Sequence, residues 1–188
     1  MIHKGTKELH TERLVLRRFV IEDAQDMFNN WANDPEVTKY LSWEPHGSIE
    51  VTENLLRIWE KDYENPKCYN WAIVFDGHLI GSIGLLNPRD DMGEAEAGYC
   101  ISKAYWGRGI AAEALAAVLK YAFEEAGFRR IIAKHDVRNP NSGKVMRKCG
   151  MKYVETARTP LALKPEKIVL CHCYEILNPN ITLESKPY

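Results

Sequence analysis

One short segment carries the residues best suited to bind a phosphate. Gly107 and Gly109 flank Arg108 at the point where a strand-like pattern gives way to a helix-like one. Glycine lets the backbone come close to a bulky anion, and the free N–H groups of a first helical turn face outward at the positive end of the helix dipole. The segment therefore predicts a phosphate-binding loop. Arg108 either adds a fixed positive charge beside the phosphate or is an ordinary solvated surface side chain.

A dinucleotide-binding loop is the main alternative for these glycines. Gly107, Gly109 and Ala112 match the relaxed nucleotide fingerprint, and Asp136 follows at the end of the next predicted strand. That fingerprint normally lies in the first strand–helix–strand unit, after a continuous apolar strand. Here it follows four predicted strands, the last of which alternates in polarity, and too little chain remains for a doubly wound half. We therefore expect neither a nicotinamide nor a flavin cofactor.

Seven strands and four helices are predicted around this loop. Alternation of polarity and turn residues indicate the strands, and apolar residues at helical spacing indicate the helices. Asp76-Gly77 predicts a type I′ hairpin turn, and Gly127 predicts the C-terminal cap of the helix that follows the loop. The predicted strands are 11–19, 69–75, 78–86, 94–102, 130–137, 151–156 and 167–177, and the predicted helices are 22–32, 48–63, 109–126 and 140–149.

The composition predicts one domain with no affinity for polyanions. The 188 residues are 45% hydrophobic, enough for one core but short for two. We expect a single domain over 1–188, folded over about 9–177, with polar tails of which the C-terminal one is loosely ordered. A formal charge of −1 gives no global attraction to nucleic acid or an anionic membrane. The N-terminus is polar and no run of about 18 apolar residues occurs, which predicts a soluble cytoplasmic protein.

The cysteines predict reduced thiols. Five are present, an odd number without the paired spacing of a disulfide framework. Cys171-His172-Cys173 brings three potential ligands together, but a structural zinc needs four and no second cluster of Cys or His accompanies them. We expect no metal site, and we place these thiols on the last strand.

The phosphate loop resembles the acetyl-CoA motif of the GNAT superfamily of N-acetyltransferases. Gly98-Tyr99 precedes Tyr105-Trp106-Gly107-Arg108-Gly109-Ile110-Ala111-Ala112-Glu113, and the family consensus is Gln/Arg-x-x-Gly-x-Gly/Ala. Trp106 stands at the Gln/Arg position, a departure that looks like the RimJ/RimL branch. The other segments that resemble this branch are the opening strand at 11–17, the second motif at 139–151, and Tyr174 in the last strand. The resemblance covers roughly 9–177.

The resemblance implies an α/β (α+β) fold of the GNAT type. This is a mixed, mostly antiparallel seven-stranded sheet with flanking helices and with its fourth and fifth strands splayed apart. Acetyl-CoA is expected in the splay, with its pantetheine paired like an added strand along Ile101 to Lys103 and its pyrophosphate on the loop amides. The residues expected to bind it are Ile101, Lys103, Gly107, Arg108, Gly109, Ile110, Ala111, Ala112, Asn139 and Ser142.

Two residues are predicted to take part in the chemistry. Acetyl transfer to nitrogen needs a neutral amine and a stabilised thiolate leaving group. Glu96, on the strand that the resemblance places beside the acetyl group, is predicted to act as a base through one water; the alternative is a surface carboxylate. By resemblance, Ser142 lies near the CoA sulfur and would donate a hydrogen bond to the thiolate. Asn139 matches a cofactor-contacting residue of the family, although a helix N-cap explains it equally well. No tyrosine follows the second motif where many family members place a general acid.

Three functions remain open from the sequence. The first is acetylation of a protein N-terminus, as in the ribosomal-protein N-acetyltransferases of this branch. The second is acetylation of a small amine such as a polyamine, an amino acid or an aminoglycoside. The third is a catalytically silent CoA-binding module that regulates a partner, against which Glu96 and Ser142 argue. A monomer and a homodimer are both compatible with the sequence. The aromatic residues that either line an acceptor pocket or fill the core are Trp31, Tyr40, Trp43 and Tyr69.

Overall fold

A mixed sheet of eight strands organises the protein, whose computed structural model describes residues 2–161 and 163–180. The strand order is β1-β2-β3-β4-β5-β6-β8-β7. Every pair of neighbours is antiparallel except β5 and β6, which are parallel. The strands are β1 (Leu9–His10), β2 (Leu14–Arg17), β3 (Tyr69–Phe75), β4 (His78–Arg89), β5 (Glu94–Ile101), β6 (Arg130–Asp136), β7 (Lys152–Leu161) and β8 (Lys164–Leu177).

In the described part of the chain, five α-helices flank the sheet. They are α1 (Ala24–Met27), α2 (Pro35–Thr38), α3 (Ile49–Asp62), α4 (Ile110–Glu124) and α5 (Pro140–Lys148). One face of the sheet packs on α4 and α5, in a core that includes Leu115 and Met146. The other face packs on the first three helices, in a core that includes Trp31 and Leu56. Within the described residues, no helix is long and apolar enough to cross a membrane.

The seven predicted strands are all present, and an eighth precedes them. β1 pairs with β2. It has only two residues, too few for an alternation of polar and apolar side chains to reveal it. The strands β7 and β8 run longer than predicted and form one hairpin. The predicted hairpin turn is confirmed, since Asp76 and Gly77 both have positive φ, at 49° and 75°. The tail beyond Asn180, predicted to be loosely ordered, lies outside the described residues.

The first predicted helix is irregular. The segment 21–32 is a 3-10 turn, the short helix α1 and a π turn in succession, and α2 was not predicted at all. A single α-helix over 22–32 is therefore wrong, although the segment is helical and buries Trp31 as its spacing indicates. The π turn over Phe28–Ala32 adds a residue to one turn, which periodicity alone does not show.

The two parallel strands separate along their length. β5 and β6 are paired at Glu94 with Arg130, at Ala95 with Ile131 and at Glu96 with Ile132, and at no later residue. Both strands continue, to Ile101 and Asp136. A gap therefore opens between their C-terminal halves. Because β1 precedes the seven predicted strands, β5 and β6 are the strands expected as the fourth and fifth, and the splay between them is confirmed.

Candidate active site

The loop between β5 and α4 has the backbone geometry that its glycines predict. Gly107 and Gly109 are both left-handed, with φ of 75° and 76°, a conformation that strains residues with a Cβ. Gly109 is also the N-cap residue of α4, and the first hydrogen bond of the helix runs from the Glu113 N–H to its carbonyl. The residues whose N–H groups precede that bond, and so point out of the helix end, are Ile110, Ala111 and Ala112.

The side chains of this loop differ in exposure and in their contacts. Arg108 is exposed, with its guanidinium carbon 5.0 Å from the centre of the Tyr105 ring. Trp106 donates its indole N–H to the Ile101 carbonyl at 2.7 Å, which ties the loop back to the end of β5. Ile110 is 1% exposed and its side chain packs in the core beside α4. The loop thus offers amides and two exposed cations, Lys103 and Arg108.

The strand that is expected to pair with pantetheine ends before Lys103. β5 ends at Ile101, and Lys103 already belongs to a one-turn 3-10 helix. A residue in such a turn does not present its N–H and C=O groups as a strand does, so strand-like pairing at Lys103 is wrong. The part of β5 that faces the gap is 97–101, because its ladder with β6 ends at Glu96.

Tyr99 and Ser142 are joined by hydrogen bonds between β5 and α5. The Tyr99 hydroxyl donates to the Ser142 carbonyl oxygen at 2.9 Å and lies 3.0 Å from Ser142 Oγ. Burial raises the pKa of Tyr99, so the phenol stays protonated and remains a donor. Tyr99 was given no role from the sequence. The two residues are 43 positions apart, and only the fold brings them together.

Replacing Tyr99 with phenylalanine is expected to lower kcat by about threefold, because Ser142 loses the partner that orients its hydroxyl. The same change made in a Ser142→Ala background should leave kcat where that variant already stands. Thermal unfolding should show a lower midpoint in both backgrounds, since the bond to the Ser142 carbonyl is lost in both. An equal loss of kcat in the two backgrounds would show that Tyr99 acts independently of the serine hydroxyl.

Glu96 lies on the opposite face of β5 from Tyr99. Tyr99 and Ala97 pack in the core beside α4, whereas Cys100 packs with the core beside α1 and α3. Alternation along the strand places Glu96 on the same side as Cys100. Its carboxylate accepts a hydrogen bond from Lys134 Nζ at 3.1 Å, and its side chain is still 20% exposed. A carboxylate with one cationic partner therefore borders the gap from the side of the first three helices.

Asn139 occupies the predicted N-cap position but does not use its side chain as a cap. The helix α5 begins at Pro140, and no side-chain hydrogen bond from Asn139 caps it. The residue is half-buried. Asn139 is therefore the N-cap residue of α5, as predicted, but its side-chain amide does not cap the helix. The amide remains available for another partner. The interpretation as a cofactor contact stays a prediction.

The four aromatic residues considered for an acceptor pocket divide into two pairs. Trp31 and Tyr69 are 0% and 2% exposed and belong to the two cores, so a pocket-lining role for them is wrong. Tyr40 and Trp43 are half-buried, on the segment between α2 and α3. The Arg138 guanidinium carbon lies 5.7 Å from the centre of the Tyr40 ring, which brings this segment to the end of β6.

The Cys171-His172-Cys173 run lies on β8. Cys171 is buried and Cys173 half-buried, both as free thiols, and His172 Nδ1 lies 2.7 Å from the Thr156 hydroxyl. Across residues 2–161 and 163–180, no group of three potential ligands converges on one point. These residues form part of the β8 strand, as predicted.

The family is decided by a sequence profile. That of the acetyltransferase (GNAT) domain matches residues 13–152, which contain the loop, the gap and α5. The chain belongs to the GNAT acetyltransferase family. It is an acetyl-CoA-dependent N-acetyltransferase, and acetyl-CoA is its cosubstrate. The eight-stranded splayed sheet is the family fold, with one strand more than predicted.

Similar proteins place this GNAT enzyme in the RimJ/RimL-like branch. The uncharacterized N-acetyltransferase YoaA of Bacillus subtilis is 33% identical over 76% of this chain and 81% of its own length. YdaF of the same organism, whose name is that of a ribosomal N-acetyltransferase, is 29% identical over 69% of this chain and 72% of its own. The ribosomal-protein-S5-alanine acetyltransferase of Vibrio fischeri has the same fold, with a TM-score of 0.80 at 19% identity, covering 94% of this chain and 99% of that one.

Proposed function

We propose that this acetyltransferase transfers the acetyl group to the N-terminal α-amine of a protein. The charges on the face of the sheet that packs on α1, α2 and α3, which we propose as the acceptor side, carry the proposal. Glu96, Asp136 and Glu44 are paired there with Lys134, Arg138 and Lys164. A polyamine or an aminoglycoside carries several positive charges and is favoured by a surplus of carboxylates, whereas each of these three carboxylates already has a cationic partner. An α-amine, with a pKa near 8, is partly neutral at physiological pH. The names of YdaF and of the Vibrio fischeri enzyme support the same acceptor class.

The residues around the gap fit acetyl-CoA. A pyrophosphate requires several N–H donors and close approach of the backbone. The amides of 108–112 supply the donors, and a methyl group added at Gly107 would meet no atom within 4 Å, so the approach is open. The edge of β5 over 97–101 can pair with the amides of pantetheine, and Asn139 stands at the far side of the gap. Acetyl-CoA supplies the activated acetyl group; the protein supplies orientation and proton transfer.

Glu96 is proposed as the base that receives the proton of the attacking amine. It borders the gap on the side where Tyr40 and Trp43 lie, which we propose as the acceptor side. Lys134, bonded to Glu96 at 3.1 Å, holds the carboxylate in place. The positive charge of Lys134 also disfavours binding of the acceptor amine as an ammonium ion beside it. Both effects favour an amine that is already partly neutral.

Ser142 is proposed to stabilise the thiolate that leaves. It lies on α5, which packs on the face of the sheet opposite to the one that carries Glu96. The base and the hydrogen-bond donor therefore border the gap from its two sides. Ser142 Oγ lies 3.0 Å from the Tyr99 hydroxyl, and when Tyr99 donates its proton to this oxygen, the serine proton is left for the thiolate. A hydroxyl of ordinary acidity acts as a hydrogen-bond donor to the thiolate without giving up its proton.

Replacing Ser142 with alanine is expected to lower kcat by about tenfold and to leave the Kd for acetyl-CoA nearly unchanged, because the lost hydrogen bond forms mainly as the thiolate develops. Rapid-quench measurement of the acetyl-transfer step, with calorimetry for the Kd, separates the two quantities. An unchanged rate for the chemical step would remove Ser142 from the mechanism. A large rise in Kd would make it a binding residue.

The acceptor class is tested by thiol release from acetyl-CoA with a panel of amines. Peptides with free N-termini are expected to give the highest kcat/KM, followed by their N-blocked, lysine-containing counterparts and then by spermidine, amino acids and an aminoglycoside. Faster turnover of a small amine than of every peptide would replace the proposed function with the second one. Binding of acetyl-CoA without thiol release for any amine would favour the silent regulatory module.

A further inference from the structure

A hydrogen-bonded brace connects the turn between β1 and β2 to the phosphate loop. Glu113, in the first turn of α4, accepts from the Thr11 hydroxyl at 2.6 Å and from the Arg13 N–H at 3.0 Å. Its second oxygen accepts from Arg13 Nε at 2.7 Å. Both terminal nitrogens of Arg13 then donate to the Arg108 carbonyl at 3.2 Å. Two segments that are distant in sequence thus act together on one peptide group of the loop.

The brace fixes the direction of that peptide group. In a trans peptide the C=O and the following N–H point in opposite directions within one plane. Because Arg13 holds the Arg108 carbonyl on its own side, the Gly109 N–H is directed away from Arg13. The left-handed Gly109 then leads into the free amides of α4. The Arg13 side chain therefore sets the orientation of the Gly109 N–H, the first of the amide donors at the start of α4.

The charge balance of the brace supports a positioning role. Partial burial raises the pKa of Glu113, but hydrogen bonds from Thr11 and Arg13 lower it by more, so that it ends below its ordinary value. Glu113 therefore carries its negative charge at neutral pH and neutralises Arg13. The two terminal nitrogens of the Arg13 guanidinium donate to the Arg108 carbonyl. Arg13 is therefore suited to fix this peptide group and not to attract a distant anion.

We propose that Arg13, held by Glu113 and Thr11, is a positioning residue for the pyrophosphate of acetyl-CoA and acts through the Arg108–Gly109 peptide group. This inference rests on the proposed placement of the pyrophosphate at the loop amides, and it does not depend on which amine is acetylated. It also assigns a task to the Thr11-Glu12-Arg13 segment, which no step of the chemistry uses. Arg13 and Glu113 both line the open cleft of about 260 Å³ above Gly109.

The test compares two ligands that differ in the pyrophosphate. Arg13→Met is expected to raise the Kd for acetyl-CoA by about tenfold in calorimetry without any acceptor, since a charge-assisted bond to the loop is lost. The Kd for S-acetylpantetheine, which lacks the pyrophosphate, should stay the same in a ligand-observed NMR titration. Glu113→Gln should raise the Kd for acetyl-CoA by a smaller factor and should also leave the Kd for S-acetylpantetheine unchanged. The effect is smaller because Arg13 remains and only the ion pair that holds it is weakened.

Lys120→Met is the matched control for charge. Lys120 is an exposed cation on α4, in the half of the helix away from the loop, and its loss should leave both Kd values unchanged. The inference is overturned if Arg13→Met keeps wild-type affinity for acetyl-CoA, if S-acetylpantetheine weakens by the same factor, or if Lys120→Met weakens acetyl-CoA equally. Failure of the wild type to bind acetyl-CoA would instead contradict the placement of the cosubstrate itself.

Discussion

Replacing Gly109 with valine is expected to raise the Kd for acetyl-CoA by about a hundredfold or more, since a strained backbone costs of order 1–3 kcal/mol and the loop must also reorganise to relieve it. Gly109 has a φ of 76°, which a β-branched residue reaches only under strain. The space around it is not the problem, because a methyl group there would lie 3.6 Å from Lys148 Nζ and 3.7 Å from Arg13 Nη2, at ordinary contact distance. The expected damage is therefore to the direction of the amides. Calorimetry with acetyl-CoA measures it.

Gly77→Val provides a matched control for the same strain. Gly77 has a φ of 75° and open space around it, but it lies in the hairpin turn between β3 and β4. Both variants should lose thermal stability, because each forces a Cβ into the left-handed region, whereas only Gly109→Val should lose acetyl-CoA. Wild-type affinity in Gly109→Val would show that the loop is not the pyrophosphate site.

Replacing Glu96 with glutamine is expected to lower kcat/KM by about a hundredfold at neutral pH, the usual contribution of a general base. Glutamine keeps the shape and accepts the hydrogen bond from Lys134, but it takes no proton. Raising the pH should restore the rate, because solution hydroxide then deprotonates the amine. The mutant should approach the wild-type rate about one to two pH units higher, and sooner for an α-amine than for a lysine, whose pKa is near 10.4.

The pH–rate profiles of both proteins on a free-N-terminus peptide provide this measurement. Glu94→Gln is the control, since Glu94 lies on the same face of β5 where the strand is still paired with β6, and it contacts Arg130 at 3.0 Å. This variant should lose stability without any change in the shape of the profile. A constant ratio of Glu96→Gln to wild type across the pH range would make Glu96 a structural or binding residue.

The loop and the sheet could be predicted because their signals are local. Gly107 and Gly109 stand where the backbone needs positive φ, and Asp76-Gly77 marks a turn whose two residues both have it. Alternation along β5 is enough to assign Glu96 and Tyr99 to opposite faces of the strand. Such features depend on a few neighbouring residues, and the sequence shows them directly.

The connections within the site could not be predicted, because they depend on distant residues. Tyr99 reaches Ser142 over 43 positions, and Arg13 reaches Glu113 over 100. No periodicity in one segment carries that information. The extent of a strand is similarly set by its partner, so the expected pairing at Lys103 failed where β5 turns into a 3-10 helix.

The most direct test of the proposed function localises the acetyl group on one peptide that offers both kinds of amine. A peptide with a free N-terminus and an internal lysine is incubated with the enzyme and acetyl-CoA at neutral pH, and tandem mass spectrometry identifies the modified nitrogen. A reaction without enzyme, run in parallel, measures the uncatalysed background. We expect the acetyl group mainly on the α-amine, with much less on the lysine. Acetylation of the lysine in preference to the α-amine would contradict the assignment of a protein N-terminus as the acceptor.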